Sequence, residues 1–139
     1  MGDTQRQSWF PLMVLLGAFY AAVGITFGLP ASDARAWRLA AWVVSGVAYA
    51  AHVGYERFTL RDSPLSAALH VGGAAGLGAL GLAIAALVHS LSAGLPSEHQ
   101  RLLLVALVAW PVITGIPAFL VGLGASKLLA RLTGSARSR

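Results

Sequence analysis

The chain of 139 residues contains no cysteine. That excludes disulfides, thiolate metal sites, iron–sulfur clusters and cysteine nucleophiles, and it leaves the redox compartment unread. Charge is almost as scarce, at 11% of the residues, against about 25% in a soluble domain. Too few charges remain to cover a water-facing surface. A phosphate-binding glycine loop, a metalloprotease HExxH and a nucleophile elbow are missing as well. No catalytic class is therefore indicated, and an enzyme is the less expected outcome. Met1-Gly2 is followed by Arg6 where a myristoylation signal needs Ser or Thr.

Apolar sequence is abundant: 57% of the residues are hydrophobic, and the fifteen charged ones gather at the ends of long apolar runs. A bilayer imposes that distribution, because a charge at its centre costs at least ~2.5–3.5 kcal/mol. The composition predicts one integral membrane domain without a second, soluble one. The net charge of +5 does not form a stripe suited to nucleic acid; the basic residues flank apolar segments and cap a tail with Lys127, Arg131, Arg137 and Arg139. Anionic lipid headgroups are their expected partner.

About 20 apolar residues cross the hydrocarbon. Four such spans are expected at about 9–29, 37–55, 65–91 and 102–123, with a basic tail at 124–139. Gly28 and Pro30 stop the first, and Ser32 or Asp33 is available to cap the second helix. The first apolar stretch is longer than the 7–15 residues of a signal-peptide core, so an uncleaved span is expected. Glu56-Arg57 close the second. Asp62-Ser63-Pro64 reads as an N-cap region opening the third, which ends near Gly94-Leu95-Pro96. Ser97 and Gln100 have the spacing of a capping box for the fourth. The fold class expected is all-α: an integral membrane four-helix bundle, up-down-up-down, with its fourth helix kinked by Pro111 and Pro117.

Basic residues set the orientation. Seven (Arg6, Arg57, Arg61, Lys127, Arg131, Arg137, Arg139) fall on one side and three (Arg35, Arg38, Arg101) on the other. Both termini and the second loop are thus expected in the cytoplasm, in a bacterial inner membrane or another plasma membrane. Trp9, Trp37 and Tyr55 lie at span ends, where amphipathic rings favour the headgroup level. Trp42 and Trp110 lie deeper and are expected to pack between helices.

In the third span Ala68, Gly72, Ala75, Gly76, Ala79 and Ala83 share one face. Small residues allow close backbone approach, so this span is expected at the centre of the packing, with a homo-oligomer contact or a lipid cleft as the rival use of that face.

One constellation carries chemical potential. Arg38, Ser45, Tyr49, His52 and Glu56 return to one face of the second span. An ionisable group at membrane depth is a functional candidate by default. His70 in the third span matches His52 in depth, each about 9 Å from the second loop. Three uses of the pair stay open. Both imidazoles can be neutral and hydrogen-bonded to Tyr49, Ser45 or carbonyls. They can ligate a b-type haem, with Tyr49 or Ser45 holding a ring nitrogen and with Gly73, Ala74 and Gly81 leaving room for the macrocycle. Or His52, His70 and Glu56 can hold a metal ion or a proton. His89 and His99 are expected at the opposite interface.

The function expected is that of a small binding or accessory subunit, which in its sharpest form holds a haem or related planar cofactor for electron transfer. A small oligomeric transporter or channel with the Pro111–Pro117 break as gate is the alternative. A structural subunit of a larger membrane complex is the third.

Overall fold

The computed structural model describes residues 9–28 and 34–136. Expectations resting on Arg6, Pro30, Ser32, Asp33, Arg137 and Arg139 lie outside the described residues. Four helices occur in order: α1 (Trp9–Gly28), α2 (Ala34–Phe58), α3 (Pro64–Ser92) and α4 (Ser97–Ala136). There is no strand among the described residues. Three of the helices, α1, α3 and α4, are long and apolar enough to cross a membrane. α2, expected as a fourth such span, falls short because Arg35, Arg38, Ser45, Tyr49, His52, Glu56 and Arg57 dilute its apolar residues.

The caps divide between expectation and correction. Ser63 caps α3 from an extended conformation, its hydroxyl accepting from the Ser66 amide at 3.1 Å, and Pro64 starts the helix where no amide is needed. Gly94, at φ 63°, turns the chain after α3 in the left-handed region open to glycine. At α4 the capping box does not form: the Gln100 side chain donates to the Leu95 carbonyl at 3.0 Å instead of reaching back to the Ser97 amide. The Pro96 carbonyl, which accepts from His99 and Gln100, begins that helix. α4 then continues through Pro111 and Pro117 without interruption.

α3 is the packing centre, and glycine is the reason on both of its sides. Toward α4, a Cβ on Gly72 would stand 2.8 Å from Phe119 Cβ and 3.1 Å from the Gly115 carbonyl oxygen. Toward α1, a Cβ on Gly78 would stand 2.5 Å from Tyr20 Cβ, and one on Gly17 2.7 Å from Leu77 Cβ. At such approach the backbones themselves are in contact, and dispersion over that length holds helices together in a solvent as apolar as they are. Ala67, Ala68, Val71 and Ala74 are fully buried in the seam.

α2 is the loosest element. Leu39, Trp42, Val43 and Val47 are all exposed. Trp42, expected to pack, is 79% exposed, and Trp110 is exposed too. Both expose much of the indole instead of packing between helices. α2 makes its firm contacts toward its C-terminal end, where the Tyr49 hydroxyl donates to the Ala118 carbonyl of α4.

Candidate functional site

The polar stripe of α2 meets α3 at a carboxylate. Glu56 has no exposed surface and is the largest fully buried side chain among the described residues. One of its oxygens lies 3.2 Å from His52 Nε2, one turn earlier on α2. The other lies 3.0 Å from His70 Nδ1 on α3. Asp62, on the short loop between these helices, brings Oδ2 to 3.6 Å from the same His70 nitrogen. Helical spacing of four explains the first pair. The tight loop, in which the Asp62 amide donates to the Glu56 carbonyl at 3.1 Å, explains how Asp62 arrives beside them.

His52 and His70 both reach Glu56, but they do not face each other. Each faces Glu56, and the carboxylate stands between the rings. Among the described residues, Glu56, Asp62 and His70 form a group whose donor atoms all lie within 4.8 Å of one another. His52 holds the opposite Glu56 oxygen from outside that group, and its Nδ1 is buried without a partner among the described residues. Tyr49 and Ser45 do not hold a histidine nitrogen: the Tyr49 hydroxyl is spent on Ala118, and Ser66 is the hydroxyl near His70 Nε2, at 3.5 Å.

Two residues belong to the site that their sequence signatures place elsewhere. Asp62 reads in sequence as part of a helix cap, a role Ser63 fills alone. Trp9 reads as an interface anchor; its ring is stacked on His70 at 4.6 Å between centroids with 4° between planes. Helix α1 therefore covers the face of α3 that carries His70. On that face Gly73 lies against Met13 and Gly81 against Ala21, so the space in which a macrocycle was expected is filled by α1. His89 and His99 are exposed at the other end of α3.

Glu56 has no ion pair with an arginine or a lysine among the described residues. The ion-pair partners of Glu56 among the described residues are the two histidines. The Arg57 guanidinium donates to the backbone carbonyl of Asp62. Burial raises the Asp62 carboxyl above its usual range, and its contact with Glu56 raises it further, while His70 and Arg57 pull the other way. Two acids and two imidazoles, closely grouped, are a donor set for a proton or for a divalent cation that imidazole and carboxylate both suit. Comparison with models of protein families, with curated proteins and with solved structures finds no match for this chain.

Proposed function

We propose that this chain is a small integral membrane protein that holds a divalent transition-metal cation at Glu56, Asp62 and His70, acting as a binding or accessory subunit. The fully buried Glu56 carboxylate, paired among the described residues with imidazoles and crowded by a second acid, carries the reading. An ionised carboxylate taken out of water needs compensating charge nearby, and a dication balances Glu56 and Asp62 together. The spacing suits one ion. Donors about 2.0–2.2 Å from a tetrahedral centre lie roughly 3.4 Å apart, and here two of those spacings are 3.0 and 3.6 Å. His52 then orients the carboxylate through its free oxygen, as partners outside the ligand set commonly do.

The surrounding architecture is read as an up-down-up-down bundle with α2 crossing beside the three apolar helices. Contacts at both ends support it: Trp9 meets His70 at the site, and Phe27 meets Trp37, with rings 5.4 Å apart, where α1 gives way to α2. The basic asymmetry puts the site at the cytoplasmic face of a bacterial inner membrane or another plasma membrane.

Calorimetric titration of the chelator-stripped protein in detergent with Zn²⁺ tests the proposal. One ion per chain is expected, with Glu56→Gln or His70→Ala abolishing the heat and His52→Ala weakening binding by about 10–100-fold. His89→Ala should change nothing. Absence of Zn²⁺ heat, or equal heat from Glu56→Gln, removes the cation. A red protein from haem-supplemented cells, bleached by His52→Ala and His70→Ala alike, would replace it with the haem reading.

A further inference from the structure

The flat stack of Trp9 on His70 has no counterpart among the other described residues. We infer that Trp9 is a positioning residue for the cation site, holding the His70 ring with Nδ1 in the donor group and favouring the ring in its metal-bound form. The inference rests on the cation reading above and concerns a residue outside the donor set.

Histidine's second side-chain torsion is soft and broadly distributed. Something other than the helix must therefore fix the ring. At 4.6 Å and 4° the indole lies flat on the imidazole, within the range of favourable offset stacking. Any rotation out of that plane breaks the stack and swings Nδ1 away from Glu56 and Asp62. Within the plane, Glu56 at Nδ1 and Ser66 near Nε2 decide which nitrogen faces the acids. Phe10 braces the indole from its edge, with rings 5.7 Å apart at 89°.

The electronic sense of the contact matters as much as the geometry. A metal-bound imidazole is electron-poor, and an indole face attracts cationic groups more than any other side chain does. The stack therefore stabilises the loaded ring over the empty one. It also makes α1 part of a site whose donors come from α2, α3 and their loop.

Co²⁺ serves as the probe, because its visible absorption reports coordination and it quenches indole emission at short range. The full chain, stripped with chelator in detergent, is titrated with cobalt chloride. Wild type should develop the visible bands and lose the share of its tryptophan emission that comes from Trp9. Trp9→Phe should keep the affinity and the bands, since a phenyl ring can stack, but lose most of the quenching. The other three of the chain's four tryptophans are not in contact with His70. Trp9→Leu should bind about ten-fold more weakly, with altered bands.

Wild type without cobalt bands overturns the cation reading, and this inference falls with it. Wild-type bands together with undiminished binding by Trp9→Leu overturn the inference alone. Should Trp9→Leu fail to fold, Trp9→Phe decides: quenching that survives in it shows that Trp9 is not at the site.

Discussion

A carboxylate with no exposed surface and a neighbouring acid raised above its usual range present a problem of charge at single residues. Glu56 and Asp62 repel each other, and in the metal-free protein only the histidines and the more distant Arg57 oppose that among the described residues. Because the folded-state pKa of Asp62 exceeds its unfolded value, its favourable contribution belongs to pH below the unfolded pKa and is lost as pH rises through the folded one. The ionised form of Asp62 is therefore the costly one in the empty protein. Asp62→Asn should raise the melting temperature at pH 7 in excess chelator, and that gain should vanish as the pH falls into the carboxylate range. In saturating Zn²⁺ the order should invert, because the variant has lost a donor and with it the stabilisation that bound ligand confers. A variant that melts below wild type in chelator at pH 7 would mean that Asp62 is not strained by its neighbours.

Among the elements, α3 has the least freedom. Two glycines on its α4 face look equivalent in sequence and are not equivalent in space. A methyl on Gly72 meets Phe119 Cβ at 2.8 Å and the Gly115 carbonyl at 3.1 Å, whereas one on Gly76 meets the Pro111 carbonyl oxygen at 3.5 Å and Gly115 Cα at 3.9 Å. Gly72→Ala should therefore destabilise the protein by about 1–3 kcal/mol, as overpacked interiors do, while Gly76→Ala should be close to neutral. Thermal melts in detergent distinguish the two, and equal losses would mean that the α3–α4 seam adjusts as a unit.

The α4-facing seam was legible in sequence because small residues at helical spacing have few other uses in a membrane helix, whereas the side carrying His70, Gly73 and Gly81 was read as cofactor space and is covered by α1. The His52, Glu56 and His70 grouping was legible in the same way, from depth and face. The rest depended on tertiary placement that spacing does not encode. Trp9 is far from His70 in the chain, Asp62 hid inside a cap signature that Ser63 completes, and Tyr49 chose a backbone carbonyl, which leaves no trace in sequence. The exposed Trp42 and Trp110 mark the same limit: depth along a helix says nothing about which way an indole faces.

At the scale of the whole molecule, three helices are long and apolar enough to cross a membrane, and the buried ionisable side chains among the described residues, His52 and Glu56, lie at one end. Seven basic residues against three predict that a reporter active only in the cytoplasm works when fused after Arg139 or inserted near Arg61, and fails near Ser97. Activity confined to the Ser97 insertion would invert the protein and move the site to the opposite face. The burial of Glu56 also has a consequence for biosynthesis. α2 leaves the ribosome ahead of Asp62 and His70, so the carboxylate first meets the membrane with only His52 beside it. A lone acid and a helix diluted by polar residues insert poorly. In the proposed four-helix bundle, the few residues joining α2 to α3 would bring the missing partners directly after it, and the two helices would complete each other as a hairpin within one act of insertion.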